Sequence, residues 1–340
     1  MIETKQDVGA LEAALISKIK DYERSSSEIE NVLLKKPDEW GRYQGEVNRQ
    51  VDNIFCDISD FERITIANEQ KDRLDKFRDY FVKNIRKTFL KGRYIEWSLR
   101  KPYGYAGDFK IMDDINVNNP TTTGVKRLYD NYYQRLAICS AVRNRKEDFK
   151  RHMVDFASMR QGKQLQIMSL SSGPSREIQE LLSYHESIRE NVFFDCYDHD
   201  ENALQYAKDV LMNFSKVDFI KENALKMSLA KDINSRIDRK YDFIYATGLF
   251  DYLNYKISVK LIANLKKLLN ANGALLISDA RDRYSNPSAH FMEWIAEWHL
   301  IYRSDEEFKQ IFMEAGFKEK ELKVYYEQQG IFQYILACNV

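Results

Sequence analysis

Between Gln164 and Leu182 the chain reads QLQIMSLSSGPSREIQELL, an apolar run that breaks into small residues around one glycine and then turns amphipathic. Ser171, Ser172 and Gly173 leave little side chain between a ligand and the main chain, so amide and hydroxyl donors become available there. Pro174 suits the first turn of a following helix. Three later runs end in the same manner: VFFDCY in Asp198 and His199, VDFIK in Asn223 and Ala224, and YDFIYA in Thr247 and Gly248. A carboxylate such as Asp198 can accept from both hydroxyls of a ribose, and an amide such as Asn223 can bond an adenine amine. Asp198 or Asp200 can also cap the helix expected over Glu201–Leu211. Small or polar residues at four such ends predict a nucleoside site.

The elements that must carry these residues follow from the texture around them. LQIMSL, VFFDCY, VDFIK, YDFIYA and GALLISDA alternate with amphipathic helices, a pattern that implies a parallel sheet covered on both faces. In such a sheet, ligands bind beyond the carboxyl ends of the strands. Lys323–Glu327 and Ile331–Cys338, separated by QQG, predict an antiparallel hairpin at one sheet edge.

The N-terminal part reads differently. Val47, Val51, Ile54, Phe55 and Ile58 fall on one helical face, as do Leu74, Phe77, Phe81 and Ile85, with breaks at Pro37 and Gly41–Gly45. NVNNPTTTG, residues 116–124, is a loop by composition, and a further helical region runs from Val125 to Met159. The expected division is a helical domain over residues 1–125 and an α/β domain over residues 126–340.

Composition bounds the function. A chain of 340 residues exceeds the usual reach of one core, and 44% apolar with 13% aromatic residues supports packed interiors. Lys plus Arg equals Asp plus Glu at 52 each, so no basic excess points to nucleic acid. The start, MIETKQDVGALEAAL, carries early acids and no signal-type apolar run. No stretch approaches the ~20 apolar residues that span a bilayer, so stable membrane insertion is not expected. Cys56, Cys139, Cys196 and Cys338 are scattered with no C-x-x-C pair, which fits reduced thiols in the cytoplasm and predicts neither a disulfide frame nor a metal site. A small-molecule partner is expected; a homo-oligomer is compatible with the sequence but supported by none of it.

From Gln164 onward the chain resembles the class I S-adenosylmethionine-dependent methyltransferases. LSSGPS matches their glycine-rich first loop, with serine where glycine is more usual at positions 171 and 175. The resemblance places the ribose acid on Asp198, an adenine-flanking residue on His199 and the adenine-amine partner on Asn223. Ser169 stands where the family often has an acid. The implied fold is α/β, a Rossmann-like seven-stranded methyltransferase sheet with an antiparallel C-terminal hairpin, preceded by an α-helical N-terminal domain. The implied cofactor is S-adenosyl-L-methionine, held by Ser171, Ser172, Gly173, Asp198, His199, Asn223, Ala224, Thr247 and Gly248. A nicotinamide dehydrogenase would instead want G-x-G-x-x-G, and Glu177 and Glu180 would crowd its diphosphate.

Further motifs, GYAGD, AVRNR (Ala141–Arg145), SSGPSRE, GLFDYL (Gly248–Leu253) and MEWIAEWHLIYR (Met292–Arg303), resemble a bacterial subfamily linked to 3-hydroxy fatty-acid methyl ester synthesis. That implies methyl transfer to a small, lipophilic, carboxylate-bearing acceptor. Alternatives are a non-catalytic S-adenosylmethionine-binding sensor or partner module, motivated by Ser169 and the serine-rich loop, and an N- or O-methyltransferase of another metabolite. A carboxylate is already ionised at neutral pH and needs no general base; its binding calls for a cation. Arg100, Arg143 and Arg145 are candidates, with Tyr103, Glu293, Trp298 and Tyr302 as further acceptor-side residues. Tyr105, Tyr252 and His290 are the candidate catalytic groups, with His290, His199 or Glu293 as base should the acceptor be a hydroxyl or amine. KPYGYAGD (Lys101–Asp108), in a loop after the helix carrying Trp97, and the helical N-terminal region are expected to act as a lid, since closure commonly shields such sites.

Overall fold

In the computed structural model, which describes residues 7–339, the five apolar runs form parallel strands β1 (Leu165–Leu170), β2 (Val192–Asp198), β3 (Val217–Lys221), β4 (Tyr241–Ala246) and β5 (Leu269–Ala280). β5 begins earlier than GALLISDA suggests. The hairpin strands β6 (Leu322–Tyr326) and β7 (Phe332–Cys338) pair antiparallel, β7 against β5, and the strand order is β3-β2-β1-β4-β5-β7-β6. Order reverses between β1 and β4, the place where an open α/β sheet leaves a crevice beyond its strand ends. The seven-stranded Rossmann-like fold with its antiparallel C-terminal strands is therefore as expected.

The helices are α1 (Val8–Lys35), α2 (Gln44–Ala67), α3 (Lys71–Tyr80), α4 (Arg93–Arg100), α5 (Phe109–Val117), α6 (Gly124–Arg135) and α7 (Ala137–Ser158), all before the sheet. Within it lie α8 (Arg176–Tyr184), α9 (Glu186–Asn191), α10 (Glu201–Val210), α11 (Ala224–Leu229), α12 (Tyr255–Lys267), α13 (Ala289–Ile295) and α14 (Asp305–Glu314). The helical region expected over Val125–Met159 is helical and is formed by α6 and α7, divided at Leu136, whose backbone is extended.

Two compact units result, and the division is not one cut after residue 125. The first unit holds the chain up to Gly107, Asn118–Cys139 and Pro287–His299; the second holds Asp108–Val117, Ser140–Asn286 and the chain from Leu300. The sequence pattern marks where helices give way to strands, whereas the units are defined by which side chains pack together, so α5 belongs with the sheet and α13 with the helices.

In the first unit, Val47, Val51, Ile54, Phe55 and Ile58 are all buried on α2, as their spacing requires. Phe55 meets Phe81, Phe89 and Phe291 edge-on. In the second unit, Met168, Ile244, Leu275 and Ile277 from the strands pack with Leu261, Ile262 and Leu265 of α12 and Phe308, Ile311 and Phe312 of α14. Strands buried on both faces explain why their sequences read as continuous apolar runs rather than alternating ones.

Candidate active site

The loop after β1 is built from left-handed residues. Ser171, Gly173 and Ser175 have φ of 53°, 51° and 51°. The two serines standing at usual glycine positions thus adopt the conformation that favours glycine. Pro174 does not enter the helix as expected: α8 starts at Arg176, and Ser175 sits at the cap without a side-chain cap bond.

Asp198, at the end of β2 and 5% exposed, organises the loop. Its Oδ2 accepts from the Gly173 N–H at 3.0 Å, and its Oδ1 accepts from the Asp200 N–H at 3.0 Å. The His199 Nδ1 lies 3.3 Å from Oδ1, and this contact pushes the imidazole above its ordinary value. Asp200 takes the capping role for α10 by accepting from Asn202 N–H. Each carboxylate oxygen has two acceptor sites, so capacity for hydroxyl donors remains on Asp198.

Two further features test whether a sulfonium nucleoside fits. The Ser172 Oγ is buried and hydrogen-bonds nothing among the described residues, a donor awaiting an acceptor. A Cβ placed on Gly173 would meet no atom within 4 Å. The backbone there borders open space, beside an oriented carboxylate and an unpaired hydroxyl, which fits the polar, close-lying ligand that the fold implies.

Beneath the loop, Ser169 is buried and bonded to Tyr245, and the Tyr245 hydroxyl donates to Glu177 Oε1 at 2.8 Å. Burial pushes the Glu177 carboxyl up. Glu177 of α8 thus lies buried beneath the loop, bonded to Tyr245. Glu177 turns inward, and Glu180 is held by Lys146 and Lys150. Neither inward burial nor these lysine pairs could be read from the local spacing of the two acids.

Other candidates are placed as follows. The Asn223 Oδ1 accepts from Leu225 and Lys226 N–H and so caps α11; the atom offered in sequence to an adenine amine is already engaged. Ala224 is the first residue of that helix. The Thr247 carbonyl accepts from the Ser278 hydroxyl, and Thr247 and Gly248 are half-buried. Tyr252, 41% exposed, closes a 3-10 turn, Phe250–Tyr252, after β4. Arg143 donates to the Ile115 carbonyl and Ser140 Oγ, and Asn286 Nδ2 donates to the Tyr302 hydroxyl at 3.2 Å.

Arg100, Tyr103, Tyr105, His290, Glu293 and Trp298 belong to the first unit. Arg100 is exposed and pairs with Glu96 on its own helix. Tyr103 packs near Trp97 at a 6.3 Å centroid distance, in the loop that follows α4. His290 is buried, with Nε2 3.2 Å from Glu62. The MEWIAEWHLIYR motif is helical only at its start: α13 stops at Ile295, and Glu297 is left-handed at φ 49°. Trp298 and Tyr302 therefore lie beyond the helix, and the motif crosses from one unit to the other between His299 and Leu300.

Among the described residues, no cluster of three or more His, Cys, Asp or Glu is arranged to hold a metal ion, and no helix is long and apolar enough to cross a membrane.

Comparison with known proteins agrees with this geometry. Residues 161–336 match a family model described as a methyltransferase domain. A crystal structure of a possible exported protein from Bordetella parapertussis is similar over 77% of this chain and 95% of its own, at 18% identity and a TM-score of 0.57. The magnesium protoporphyrin IX methyltransferase of Synechocystis PCC 6803 with bound S-adenosylhomocysteine aligns over 75% of this chain and all (100%) of its own, at 10% identity and a TM-score of 0.48. The N-methyltransferase NodS of Bradyrhizobium japonicum WM9, in complex with the same product, aligns over 57% and 87%, at 13% and 0.39. The first likeness speaks to fold alone, and the weaker two add no argument to it. Curated protein sequences give no match. Over more than half its length the chain matches that family model, and it belongs to the methyltransferase-domain family as an enzyme that uses S-adenosylmethionine.

Proposed function

We propose that this enzyme transfers a methyl group from S-adenosylmethionine to the carboxylate of a small lipophilic acceptor, such as a 3-hydroxy fatty acid, giving a methyl ester. The observation that carries the donor site is the unpaired buried hydroxyl of Ser172 beside Gly173, whose own N–H fixes Asp198. Asp198 would take the ribose hydroxyls, His199 would flank the base, and Thr247 and Gly248 would line the donor at the end of β4. When bound, S-adenosylmethionine supplies an electrophilic methyl carbon. The chain's own task is then to align an acceptor oxygen with that carbon and to keep water out.

The disposition of the imidazoles supports an acceptor that is ionised before it binds. His199 is tied to Asp198, and His290 is buried beside Glu62. A carboxylate asks neither of them for proton removal. The residues nominated for the acceptor, Arg100, Tyr103, Arg143, Glu293, Trp298 and Tyr302, with Tyr105 and Tyr252 as candidate catalytic groups, remain the proposed acceptor side. All four cysteines are free thiols, which supports a reducing, cytoplasmic setting.

The test is methyl transfer from labelled donor to a panel of medium-chain fatty acids and 3-hydroxy fatty acids. Alkali-labile label in the lipid fraction is expected, because esters saponify. Alkali-stable label would mean an ether or amine product and would overturn the acceptor class.

A further inference from the structure

Three motifs that are far apart in sequence meet inside the second unit. AVRNR contributes Arg145 from α7, GLFDYL contributes Asp251 from the turn after β4, and MEWIAEWHLIYR contributes Arg303. Ser278 and Asp279 at the end of β5 complete the group. Arg303, 2% exposed, donates to Asp279 Oδ1 at 2.8 Å, to the Phe250 carbonyl at 3.0 Å and to the Leu253 carbonyl. Its cation is fully engaged in holding the loop.

Arg145 is not. It is 5% exposed, and its guanidinium lies over the Phe332 ring at 4.1 Å. Nη1 donates to Ser278 Oγ at 3.3 Å and stands 3.6 Å from Asp251 Oδ2, longer than the ~2.7–2.9 Å of a charge-assisted bond. Asp251 Oδ1 instead accepts from Ala280 N–H at 2.7 Å. Among the described residues, nothing accepts a hydrogen bond from Nη2 of Arg145. That edge lies against Gly248, where a Cβ would come within 3.3 Å of Nη2. Thr247, Gly248 and Leu249 are half-buried rather than closed over, so the edge borders a reachable part of the surface. A buried guanidinium with an open fork edge is suited to an oxyanion with two oxygens, and the absence of a side chain at residue 248 leaves room for one.

We infer that Arg145 anchors a ligand carboxylate at the end of β4. The inference extends the proposed function, on whose carboxylate acceptor it rests in part, and it separates the three arginines that sequence left equivalent. Arg100 is exposed and paired with Glu96, and Arg143 is spent on a backbone carbonyl and Ser140. Two carboxylates come near such a site: that of the acceptor and that of the donor's amino-acid tail.

Calorimetry on the full chain separates them without turnover, so a failed methyl-transfer assay and a failed Arg145 assignment leave different signatures. The probes are S-adenosylhomocysteine, 5′-methylthioadenosine (the same nucleoside without the carboxylate) and decanoate. If Arg145→Met weakens S-adenosylhomocysteine at least tenfold and leaves methylthioadenosine unchanged, the anchored carboxylate is the donor's. If it weakens decanoate at least tenfold and leaves both nucleosides unchanged, the carboxylate is the acceptor's. Arg145→Lys should restore part of the loss in either case. Equal binding of all three probes by Arg145→Met and wild type overturns the inference, as does equal weakening of all three. Should Arg145→Met not fold, Arg145→Lys, which keeps a buried cation but loses the two-pronged fork, carries the same comparison with the same readings.

Discussion

The second unit holds two polar sites at neighbouring strand ends, and they are built by opposite means. At the ends of β1 and β2 the site is small side chains, left-handed backbone and one carboxylate, all within a short span around Ser171–Ser175 and Asp198. At the ends of β4 and β5 it is long charged side chains, Arg145, Asp251, Asp279 and Arg303, drawn together from distant parts of the chain. The first leaves one buried hydroxyl unpaired and the space beside Gly173 open. The second is buried and only partly self-satisfied: Arg303 pairs with Asp279 Oδ1, while Asp279 Oδ2 and Arg145 Nη2 have no hydrogen-bond partner among the described residues, and burial together with the nearby Asp251 pushes the Asp279 carboxyl well up. One region is shaped by small residues and open backbone, the other by long charged side chains brought together from distant parts of the chain.

The contrast can be broken most severely at Arg303. Arg303→Met leaves Asp279 buried without its cation and removes the bonds to Phe250 and Leu253, so a loss of about 3–5 kcal/mol in urea unfolding is expected. A loss below ~1 kcal/mol would show that the charge cluster does not hold the loop. Smaller is the effect of Asn223→Ala, which removes the cap of α11. It should destabilise by about 1 kcal/mol, with S-adenosylhomocysteine affinity changed far less than stability, since the Oδ1 serves the helix.

At the β1 loop the sign reverses. Left-handed backbone costs a non-glycine residue about 1–2 kcal/mol, and glycine's extra chain entropy returns part of that. Ser171→Gly should therefore stabilise the fold by roughly 0.5–1 kcal/mol in thermal or urea unfolding, and a destabilised variant would contradict a strained loop.

The smallest effect concerns His199. Its pKa is raised in the folded chain by Asp198. Below the ordinary value of about 6.5 both folded and unfolded chains hold the proton and the pair contributes fully; the contribution fades as pH rises through the raised folded value. Titration of the imidazole by NMR should show the raised value in wild type and its decrease in Asp198→Asn. An identical titration in both proteins would refute the pairing.

The same contrast explains what was legible in the sequence. Strand ends are local: a run of Ile, Phe, Tyr and Val followed by Asp198 or by Thr247 and Gly248 announces both the strand and its tip, so the sheet and the chemistry of its edge could be read directly. Left-handed Ser171 and Ser175 were visible only as serines at glycine positions. The Arg303–Asp279 pair was not visible, because no local periodicity links a β5 residue to one that follows α13 beyond the left-handed Glu297. For the same reason Asn223 looked like a base-binding amide although its Oδ1 caps α11. A polar residue's spacing shows which strand it follows; it does not show which backbone amides claim it first.

The central claim is that the donor lies in the cradle formed by Ser172, Gly173 and Asp198, and S-adenosylhomocysteine calorimetry on Asp198→Ala tests it most directly. Removing the charge-assisted bonds to the ribose should weaken binding by more than about 1 kcal/mol relative to wild type, in protein shown by its unfolding transition to be folded. Unchanged affinity in that folded variant would contradict the account.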